Sequence, residues 1–452
     1  MTGAMDDMKK YELSDMDKMG INKTVKTLIF YEVPSTVDSD KLISSMMEGV
    51  KNATRQLPFM AGSLQFDDSG KLCIMTPPES QIEVNIHRFE STEHKCFSAL
   101  AKGSFSPNEL DFTQFLPQEP GPKDSVCAMQ LSLVEGGLVL GFRMAHAAGD
   151  WSSIDTFLSL VCQGSKAHQE GLEMPTYTPD LNREPYNTPA PDPTISREGL
   201  LERLPMFYVM EKSQLKAKLP PPSQSRIFKT SEQAIQQLKA QSTPYLSGVD
   251  YITSYDCISA LLWTSITRAR LHIHPEKTAS PSRFVHPIDV RTRDPENRTS
   301  ERYFGNAVIG CQAGPIPAQA LVSDGDRGLA TAAALIRQSI NTVNLSSISH
   351  MTSLIASLSP EETLGLHPDF TDMDMFMNTW YSGSAEKYDI GAGSIPVAFR
   401  LHSSMAGGSV VILPNFSREE TRVFDVVVQL ADEEQELLGK DAEFLKYFEI
   451  IA

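Results

Sequence analysis

The 452-residue sequence lacks a long apolar run, an excess of positive charge and any clustering of its six cysteines. No stretch approaches the ~20 apolar residues that cross a bilayer, and the polar, acidic N-terminal segment does not resemble a secretory signal. The cysteines form no CxxC pair and no His/Cys set at metal-ligand spacing, which indicates buried free thiols. We therefore expect a soluble, cytoplasmic protein with no metal and no membrane contact.

The small number of basic residues argues against a second group of functions. With 40 Lys and Arg against 57 Asp and Glu, the formal charge is −17 at pH 7, which disfavours binding to a nucleic acid. The charge does not exclude an anionic co-substrate, because such a molecule needs only a local basic pocket. Hydrophobic residues make up 41% of the chain, an ordinary proportion that can bury a large core.

Strand-like and helix-like periodicities alternate along the chain. Strand-like runs occupy 24–34, 72–76, 82–88, 126–134, 138–145, 226–230, 284–290, 306–312, 395–402, 409–414 and 423–429. Helix-like patterns occupy 42–57, 91–103, 231–241, 254–270, 325–345, 432–447 and the segment after Asp150. Mixed elements on both sides of a Pro-rich stretch predict an α/β fold with two domains. We place an N-terminal domain at 1–185, a crossover linker at 186–225 and a C-terminal domain at 226–452.

The segment HAAGD places two titratable side chains at a predicted strand-to-helix turn. His146 follows the run 138–145, and Asp150 lies four residues later with Gly149 between them. An imidazole can take up and return a proton near neutral pH, so His146 fits a general base, although the same spacing also fits a purely structural turn. No GxSxG or HExxH motif accompanies the pair, so we predict neither a serine triad nor a zinc centre.

Several further segments follow an order that is typical of one enzyme family. They are LSDMDKM (13–19), LPFMAGSL (57–64), the run that leads into HAAGD (134–150), ITSYDCISALLWTSITRAR (252–270), IDVRTR with RYFGNAV (288–308), NTW (378–380) and YDIGAG (388–393). Together they resemble the BAHD-type acyltransferases, CoA-dependent enzymes of plant and fungal secondary metabolism. The fungal branch, which is trichothecene O-acetyltransferase-like, is the nearer comparison.

The resemblance implies two chloramphenicol-acetyltransferase-like domains, each a mixed β-sheet flanked by helices, with a channel between them. Acyl-CoA, by default acetyl-CoA, would enter one mouth and a small-molecule alcohol or amine the other. His146 would be the general base, and no covalent acyl-enzyme would form. Trp380, with Thr379 beside it, would donate a hydrogen bond to the oxyanion, unless its indole is simply part of the core.

The resemblance also implies supporting residues around the base. Asp150 would pair with Arg291, or failing that with Arg293, across the domain boundary. A buried charge that loses its partner costs about 3–5 kcal/mol, so this pair would matter as much for architecture as for chemistry. Asn306 of the YFGN segment would shape a turn beside the channel.

Three further features concern the contact with CoA or depart from the family pattern. Thr253 and Ser254 lie where family members contact CoA. Asp389 begins DIGAG, a degraded form of the family's DFGWG, and this segment is expected to act structurally, away from the base. Trp151 follows Asp150 where the family usually has glycine, so its indole either lines the acceptor side or packs in the core.

Two other functions stay open. A free-standing condensation-type domain would take acyl groups from a carrier protein, but such domains usually carry HHxxxDG, whereas Ala145 precedes His146 here. A catalytically inactive homologue that binds a small molecule is favoured by the DIGAG segment and Trp151, and disfavoured by the presence of His146 and Trp380. Acetyl transfer to a secondary metabolite by a monomer is the expectation from the family.

Overall fold

The structure is a computed structural model that describes residues 8–21, 23–90, 96–119, 121, 124–189, 195–214, 222–294, 296, 298–381, 385–391, 393, 394, 396–402, 407–414, 416 and 422–452. Parts of four predicted features lie outside these residues: 91–95 of a helix, 190–194 and 215–221 of the crossover, Ala392 of DIGAG and Ile395 of a strand. In the described part of the chain, no helix has the length and apolar character needed to cross a bilayer.

The strands of the described residues form four sheets. In chain order they are β1 (Lys9–Glu12), β2 (Thr24–Glu32), β3 (Ser63–Phe66), β4 (Leu72–Thr76), β5 (Glu83–Arg88), β6 (Cys127–Val134), β7 (Gly137–Ala145), β8 (Phe207–Glu211), β9 (Ser223–Ser231), β10 (Pro281–Asp289), β11 (Val308–Pro317), β12 (Glu362–Leu366), β13 (Met375–Thr379), β14 (Pro396–Leu401), β15 (Ser409–Ile412), β16 (Val423–Ala431) and β17 (Glu449–Ile450). Every predicted strand is present. The strands β1, β3, β8, β12, β13 and β17 were not predicted.

Each of the seven predicted α-helices is present among the described residues, two of them ending earlier than predicted, and five further α-helices were not predicted. In chain order the α-helices are α1 (Asp15–Lys18), α2 (Ser39–Gln56), α3 (Phe97–Lys102), α4 (Phe112–Phe115), α5 (Trp151–Glu170), α6 (Arg197–Arg203), α7 (Glu232–Ser242), α8 (Ser254–Ile273), α9 (Ala318–Val322), α10 (Gly325–Thr342), α11 (Leu345–Ala356) and α12 (Asp432–Leu438). The helix predicted over 325–345 ends earlier, and α11 begins after Asn344, whose side chain accepts the N–H of Ser346 and caps it. The closing helix stops before Gly439, because glycine is unfavourable inside a helix.

The first large sheet contains the strand that leads to His146. Its order is β14-β2-β7-β6-β5, with β5 and β6 parallel and the other pairs antiparallel. Successive side chains of a strand point to opposite faces. Ile29 and Tyr31 of β2 therefore pack into the cluster with α2 and α5, whereas Leu28 and Phe30 pack into a cluster on the other face. Burial on both faces explains the continuous apolar run in β2.

One strand of this sheet comes from the far end of the chain. We call residues up to 185 the N-terminal half and residues from 226 onward the C-terminal half. β14 belongs to the C-terminal half, yet it pairs with β2, from Pro396 opposite Tyr31 to Leu401 opposite Thr27. The predicted domain boundaries stay a prediction, and they do not account for this strand, because local alternation predicts a strand without specifying its partner.

The second large sheet is formed by the C-terminal half. Its order is β11-β10-β13-β15-β16-β9-β17, and β13 is parallel to both of its neighbours. Val410, Val426 and Val428 pack on one face into the cluster that contains α8 and α10. Val411 and Val427, which alternate with them, join the cluster of the N-terminal half. The two halves therefore share an apolar interface, so packing as well as the crossover joins them.

The described part of the predicted crossover linker has regular structure. Ser196 caps α6, because its hydroxyl accepts the N–H of Gly199. β8 pairs antiparallel with β12 in a two-stranded sheet. Leu200 and Leu204 are buried in the cluster of the C-terminal half, so this segment packs against that half. The fourth sheet has three strands in the order β1-β4-β3.

Candidate active site

His146 lies where β7 ends and α5 is about to begin. Residues 146–148 form one 3-10 turn, and Asp150 is the N-cap of α5. The main chain of His146 is held on both sides, since its N–H donates to the carbonyl of Lys23 at 2.8 Å and its carbonyl accepts from Nδ2 of Asn306 at 2.8 Å. The position of the turn is therefore fixed without using the imidazole.

Two glycines allow neighbouring groups to approach this turn closely. A Cβ on Gly149 would lie 2.5 Å from Cβ of Ser153, and a Cβ on Gly20 would lie 2.9 Å from the carbonyl carbon of His146. Carbon atoms that are not bonded to each other do not approach so closely. Any larger residue at either position would push the turn away from its neighbours.

The imidazole of His146 lines a cavity of about 360 Å³ between the two halves. Other polar or aromatic lining residues include Lys23 and Trp151 from the N-terminal half and Asp289, Thr379 and Trp380 from the C-terminal half. His146 is half-buried, and its Nδ1 is enclosed without a hydrogen-bond partner among the described residues. Nε2 is thus the ring nitrogen left to meet a ligand. Within the described part of the chain, no group of three or more His, Cys, Asp or Glu could hold a metal ion.

The carboxylate of Asp150 binds Arg291 and backbone N–H groups. Nη1 and Nη2 of Arg291 donate to its two oxygens at 2.9 and 2.8 Å. The N–H groups of Ala307 and Ser153 donate at 3.0 and 3.3 Å. Burial opposes the charge of Arg291, but the carboxylates of Asp150 and Asp289 outweigh it and raise the pKa of Arg291 above its usual range. The pair is a buried link between the two halves.

Arg293, the alternative partner of Asp150, lies elsewhere. Its Nη1 donates to the carbonyls of Ile340 and Val343 at 2.8 and 3.2 Å. These carbonyls are at the C-terminal end of α10, where helical N–H donors run out; the carbonyl of Ile340 also accepts the N–H of Val343 at 3.3 Å. Arg293 therefore caps α10, and the structure brings Arg291 to Asp150 instead.

Asn306 connects the His146 turn to the N-terminal segment. Its Nδ2 donates to the carbonyl of His146 and, at 3.0 Å, to Oδ1 of Asp17, which also accepts the N–H of Asn306 at 2.7 Å. Asp17 is fully buried and forms a capping box with Ser14 at the start of α1. Sequence reasoning missed this role for Asp17. The available signal was its place in the LSDMD segment.

Thr379 and Trp380 lie at the end of β13, a strand that the sequence pattern did not predict. The main-chain N–H of Trp380 donates to the carbonyl of Ile412 at 2.8 Å, which extends the pairing of β13 with β15. The hydroxyl of Thr379 accepts the N–H of Tyr381 at 3.3 Å. Among the described residues, no acceptor binds the indole N–H of Trp380. The indole of Trp380 therefore lines the cavity with its N–H not engaged by another described residue.

Trp151 stacks on Trp380. The ring centroids are 4.8 Å apart and the ring planes differ by 8°. Phe399 packs edge-on against both, with centroid distances of 5.6 Å to Trp151 and 6.2 Å to Trp380. Trp151 lines the cavity and also packs against the apolar cluster of the N-terminal half. Its place on the acceptor side stays a prediction. No sequence pattern indicated its contact with Trp380.

Asp289 and Ser152 form a second polar link beside the cavity. Oδ2 of Asp289 accepts from Oγ of Ser152 at 3.0 Å and from Nη1 of Arg291 at 2.9 Å. Ser152 belongs to the first turn of α5 and Asp289 ends β10, so the bond joins the two halves. Sequence reasoning assigned no role to either residue, although Asp289 opens the DVRTR segment.

Thr253 and Ser254 lie at the N-terminus of α8, and neither is among the described residues that line the cavity. The hydroxyl of Thr253 accepts from Nη2 of Arg337 at 2.8 Å and donates to Asp256 at 3.0 Å. The hydroxyl of Ser254 donates to Glu232 at 3.1 Å. The structure does not bring this pair together with His146.

Asp389 lies at the opposite end of α5 from His146. Its Oδ2 accepts from Nζ of Lys166 at 2.7 Å, and its Oδ1 accepts the N–H of Gly391 at 2.9 Å. The carbonyl of Ile390 accepts from Gln169 at 2.6 Å. At 1.5 Å per helical residue, these contacts are roughly 20 Å along α5 from its N-terminus. Asp389 fixes a loop and does not reach the cavity.

Comparison with known proteins identifies the family. A model of the Transferase family matches residues 5–445. The chain belongs to the Transferase family. The predicted relationship to the BAHD-type acyltransferases, and with it the enzyme class, is confirmed.

Individual relatives have low sequence identity to this chain, but the matches extend over most of its length. Trichothecene 3-O-acetyltransferase TRI101 of Fusarium sporotrichioides is 21% identical over 94% of this chain and 93% of its own length. Enoyl-CoA isomerase/hydratase claC of Penicillium crustosum is 25% identical over 74% of this chain, which spans 38% of that protein. The crystal structure of Fusarium graminearum TRI101 with coenzyme A and T-2 mycotoxin has a TM-score of 0.80 at 18% identity and covers 98% of this chain and 100% of its own. This similarity confirms the predicted two-domain α/β fold.

Proposed function

We propose that this acyltransferase moves an acyl group, by default acetyl, from acyl-CoA to a hydroxyl or amine of a secondary metabolite. The observation that carries the proposal is the imidazole of His146, which its main chain holds at a cavity lined by both halves. A volume of about 360 Å³ is within the range of small-molecule sites. Acyl-CoA is a co-substrate in this scheme and does not stay bound between turnovers.

The reaction needs one base and no covalent acyl-enzyme. Nε2 of His146 takes the proton of the acceptor hydroxyl or amine while the acceptor oxygen or nitrogen attacks the thioester carbonyl. The tetrahedral intermediate then collapses, the carbon–sulfur bond breaks, and the proton on Nε2 passes to the CoA thiolate. General-base assistance of this kind contributes about 10²–10⁴-fold in rate. Placing both substrates in one cavity supplies a further part of the acceleration.

The negative charge on the tetrahedral oxygen requires a hydrogen-bond donor. The indole N–H of Trp380 fits this role, because an indole nitrogen can only donate and no described residue accepts from it. The hydroxyl of Thr379, which also lines the cavity, is a second donor beside it. Donors held at the oxyanion act only when the charge develops, so they lower the barrier rather than the substrate's free energy.

Asp150 acts on the reaction through position, in this proposal. Its carboxylate is occupied by Arg291 and two backbone N–H groups, so it fixes the start of α5 and the turn that carries His146. Asp150 therefore belongs to the site without exchanging a proton with the imidazole.

The binding of CoA by Thr253 and Ser254 stays a prediction. The N-terminus of α8 supports it, since helix N-termini attract phosphate groups. The hydroxyl bonds to Arg337 and Glu232 weaken it, because both hydroxyls already have partners in the protein. We also propose that the enzyme works as a cytoplasmic monomer, which size-exclusion chromatography with light scattering would test.

The proposal predicts transfer from acetyl-CoA to an alcohol. The first acceptors to test are trichothecenes such as deoxynivalenol, since a relative acts on this class, followed by other sesquiterpenoid alcohols and amines. Release of CoA thiol and the mass of the product are the measurements. Turnover only with a carrier-bound acyl group would favour the condensation-type alternative. Tight binding of these molecules without turnover would favour an inactive binding protein.

Substitution of the proposed base should separate chemistry from folding. We expect His146→Ala to lower kcat by about 10²–10⁴-fold. CoA affinity by calorimetry and the free energy of unfolding should stay nearly unchanged, because the main-chain bonds of His146 do not involve its ring. His87→Ala, on the exposed strand β5, is the matched control and should turn over like the wild type. A His146→Ala variant with full activity would refute the general-base role.

A further inference from the structure

We propose that Trp151 is a positioning residue for acyl transfer, which holds the indole of Trp380 in the orientation that its N–H needs to reach the oxyanion. This inference rests on the proposed function and adds to it a residue that the reaction scheme does not use. The ring of Trp151 stacks on Trp380 and meets Phe399 edge-on. Its role would be to control the orientation of the Trp380 indole, which donates the hydrogen bond.

The first support is the geometry of the aromatic contact. The rings of Trp151 and Trp380 are nearly parallel, with centroids 4.8 Å apart. Phe399 meets both rings edge-on, at interplanar angles of 81° and 77°. Edge-to-face and stacked arrangements are the favourable ones for aromatic rings. The three rings therefore restrict Trp380 on one face and along one side.

The second support is the freedom that Trp380 would have without this contact. Its main chain is anchored by the bond to Ile412, but its side chain is only half-buried and its N–H has no acceptor among the described residues. A side chain in this situation can rotate about two torsions. An oxyanion donor must already be in place when the charge forms, so some group has to hold the ring.

The third support is the rigidity of Trp151 itself. It is the first residue of α5 and directly follows Asp150, whose carboxylate caps the helix and binds Arg291. The backbone of Trp151 is therefore fixed by a buried ion pair. Because Trp151 is held in place, its stacked ring restricts the orientation of the Trp380 ring, which belongs to a strand of the other half.

A purely structural role for Trp151 makes a different prediction, which a double-mutant cycle can test. Steady-state kinetics would be measured for the wild type, Trp151→Ala, Trp380→Phe and the double variant, with acetyl-CoA and the best acceptor of the panel above. We expect Trp380→Phe to lower kcat by about 10²–10³-fold. We expect Trp151→Ala to lower kcat by about 10–100-fold, as for a misplaced catalytic group. KM for acetyl-CoA should change by less than about twofold in Trp151→Ala, if only transition-state contacts are lost.

The decisive comparison is between the two backgrounds. In the Trp380→Phe background, Trp151→Ala should have little further effect on kcat, because the N–H that it positions is already absent. Trp151→Phe keeps a ring in the stack and should recover most of the activity. Phe157→Leu is the control, since Phe157 is fully buried on the same helix and does not line the cavity. It should lower the melting temperature without changing kcat.

Each outcome decides the inference. Full activity in Trp151→Ala, or effects of the two substitutions that simply multiply, would overturn the positioning role and leave the proposed function intact. Failure of Trp151→Phe to recover activity would overturn it as well. Absence of transfer by the wild type with every acceptor would instead overturn the proposed function, and the positioning role with it.

Discussion

The two ends of helix α5 both carry an ion pair to the C-terminal half, and the two pairs differ in burial. At the N-terminal end, Asp150 and Arg291 have side chains only 3% and 4% exposed and share two hydrogen bonds. At the C-terminal end, Lys166 and Asp389 share one bond of 2.7 Å, with the lysine side chain 38% exposed. Water screens the second pair and not the first. The same attraction therefore has different consequences at the two ends.

The difference shows which of the two ion pairs fixes the geometry of the site. A buried pair is costly to break, because the remaining charge has no water to replace its partner. The Asp150–Arg291 pair stands next to the turn of His146 and to Trp151. The Lys166–Asp389 pair holds a surface loop far along the helix. The N-terminal end of α5 therefore determines the geometry of the site, and the C-terminal end does not. Substitutions at matched positions at the two ends should differ in their effects on activity and stability.

The largest effect is expected for Asp150→Ala. This variant removes the two-oxygen partner of the buried guanidinium of Arg291 and leaves it only the half-exposed carboxylate of Asp289. The free energy of unfolding should therefore fall by up to about 3–5 kcal/mol. Activity should fall as well, because the start of α5 loses its cap. Urea denaturation and steady-state kinetics are the measurements.

The double variant Asp150→Ala, Arg291→Met is the control for this prediction. It removes the stranded charge together with its partner, so its stability should lie above that expected from adding the two single losses. Additive losses would show that the two residues do not act as a pair. A loss below about 1 kcal/mol for Asp150→Ala would mean that the pair is effectively a surface one.

A smaller effect is expected for Asn306→Ala at the same end of α5. The change leaves the carbonyl of His146 and the buried carboxylate of Asp17 each without one donor, at a cost of about 1–3 kcal/mol. Because the turn of His146 would then shift, kcat should fall about tenfold or more. Thermal denaturation and kinetics would be measured.

Gln169→Ala is the matched control at the other end. It removes the side-chain donor to the carbonyl of Ile390 and should leave kcat unchanged. Equal loss of kcat in Asn306→Ala and Gln169→Ala would contradict the view that only the N-terminal end of α5 determines the geometry of the site.

The smallest effect is expected for Lys166→Met. This substitution removes the charge and keeps the length of the side chain, so the free energy of unfolding should fall by no more than about 1 kcal/mol. The difference from the wild type should shrink in high salt, because an exposed pair is screened. Denaturation at low and high ionic strength tests this. A large loss of unfolding free energy that does not depend on salt would show that the Lys166–Asp389 pair behaves like the buried Asp150–Arg291 pair.

The predicted elements were those that local patterns specify. Alternating or apolar runs identified β2, β6, β7 and β16, and helical spacing identified α2 and α8. The short strand Met375–Thr379, which ends at the site, was missed because five residues with few β-branched side chains give little signal. α6 was missed because it lies in a Pro-rich context. The position of β14 beside β2 is non-local, and no window of sequence contains it.

The candidate site was predicted through ordered motifs rather than through chemistry alone. His146, Asp150 and Arg291 came from matching segments, and the structure places the last two in contact. The choice between Arg291 and Arg293 could not be made from sequence, since the two arginines are only two residues apart in the same segment. The stack of Trp151 on Trp380 was beyond prediction, because it depends on how the two halves meet.

The placement of β14 has a consequence for the synthesis of the protein. β2 leaves the ribosome early, and the strand that completes its sheet follows roughly 360 residues later. At about 5–20 residues per second, the nascent chain carries an open sheet edge for roughly 20–70 s. Such an edge invites pairing with other chains. We therefore expect truncated versions that end before β14 to aggregate in cells and to be retained by chaperones, whereas the full-length chain closes its own edge on release.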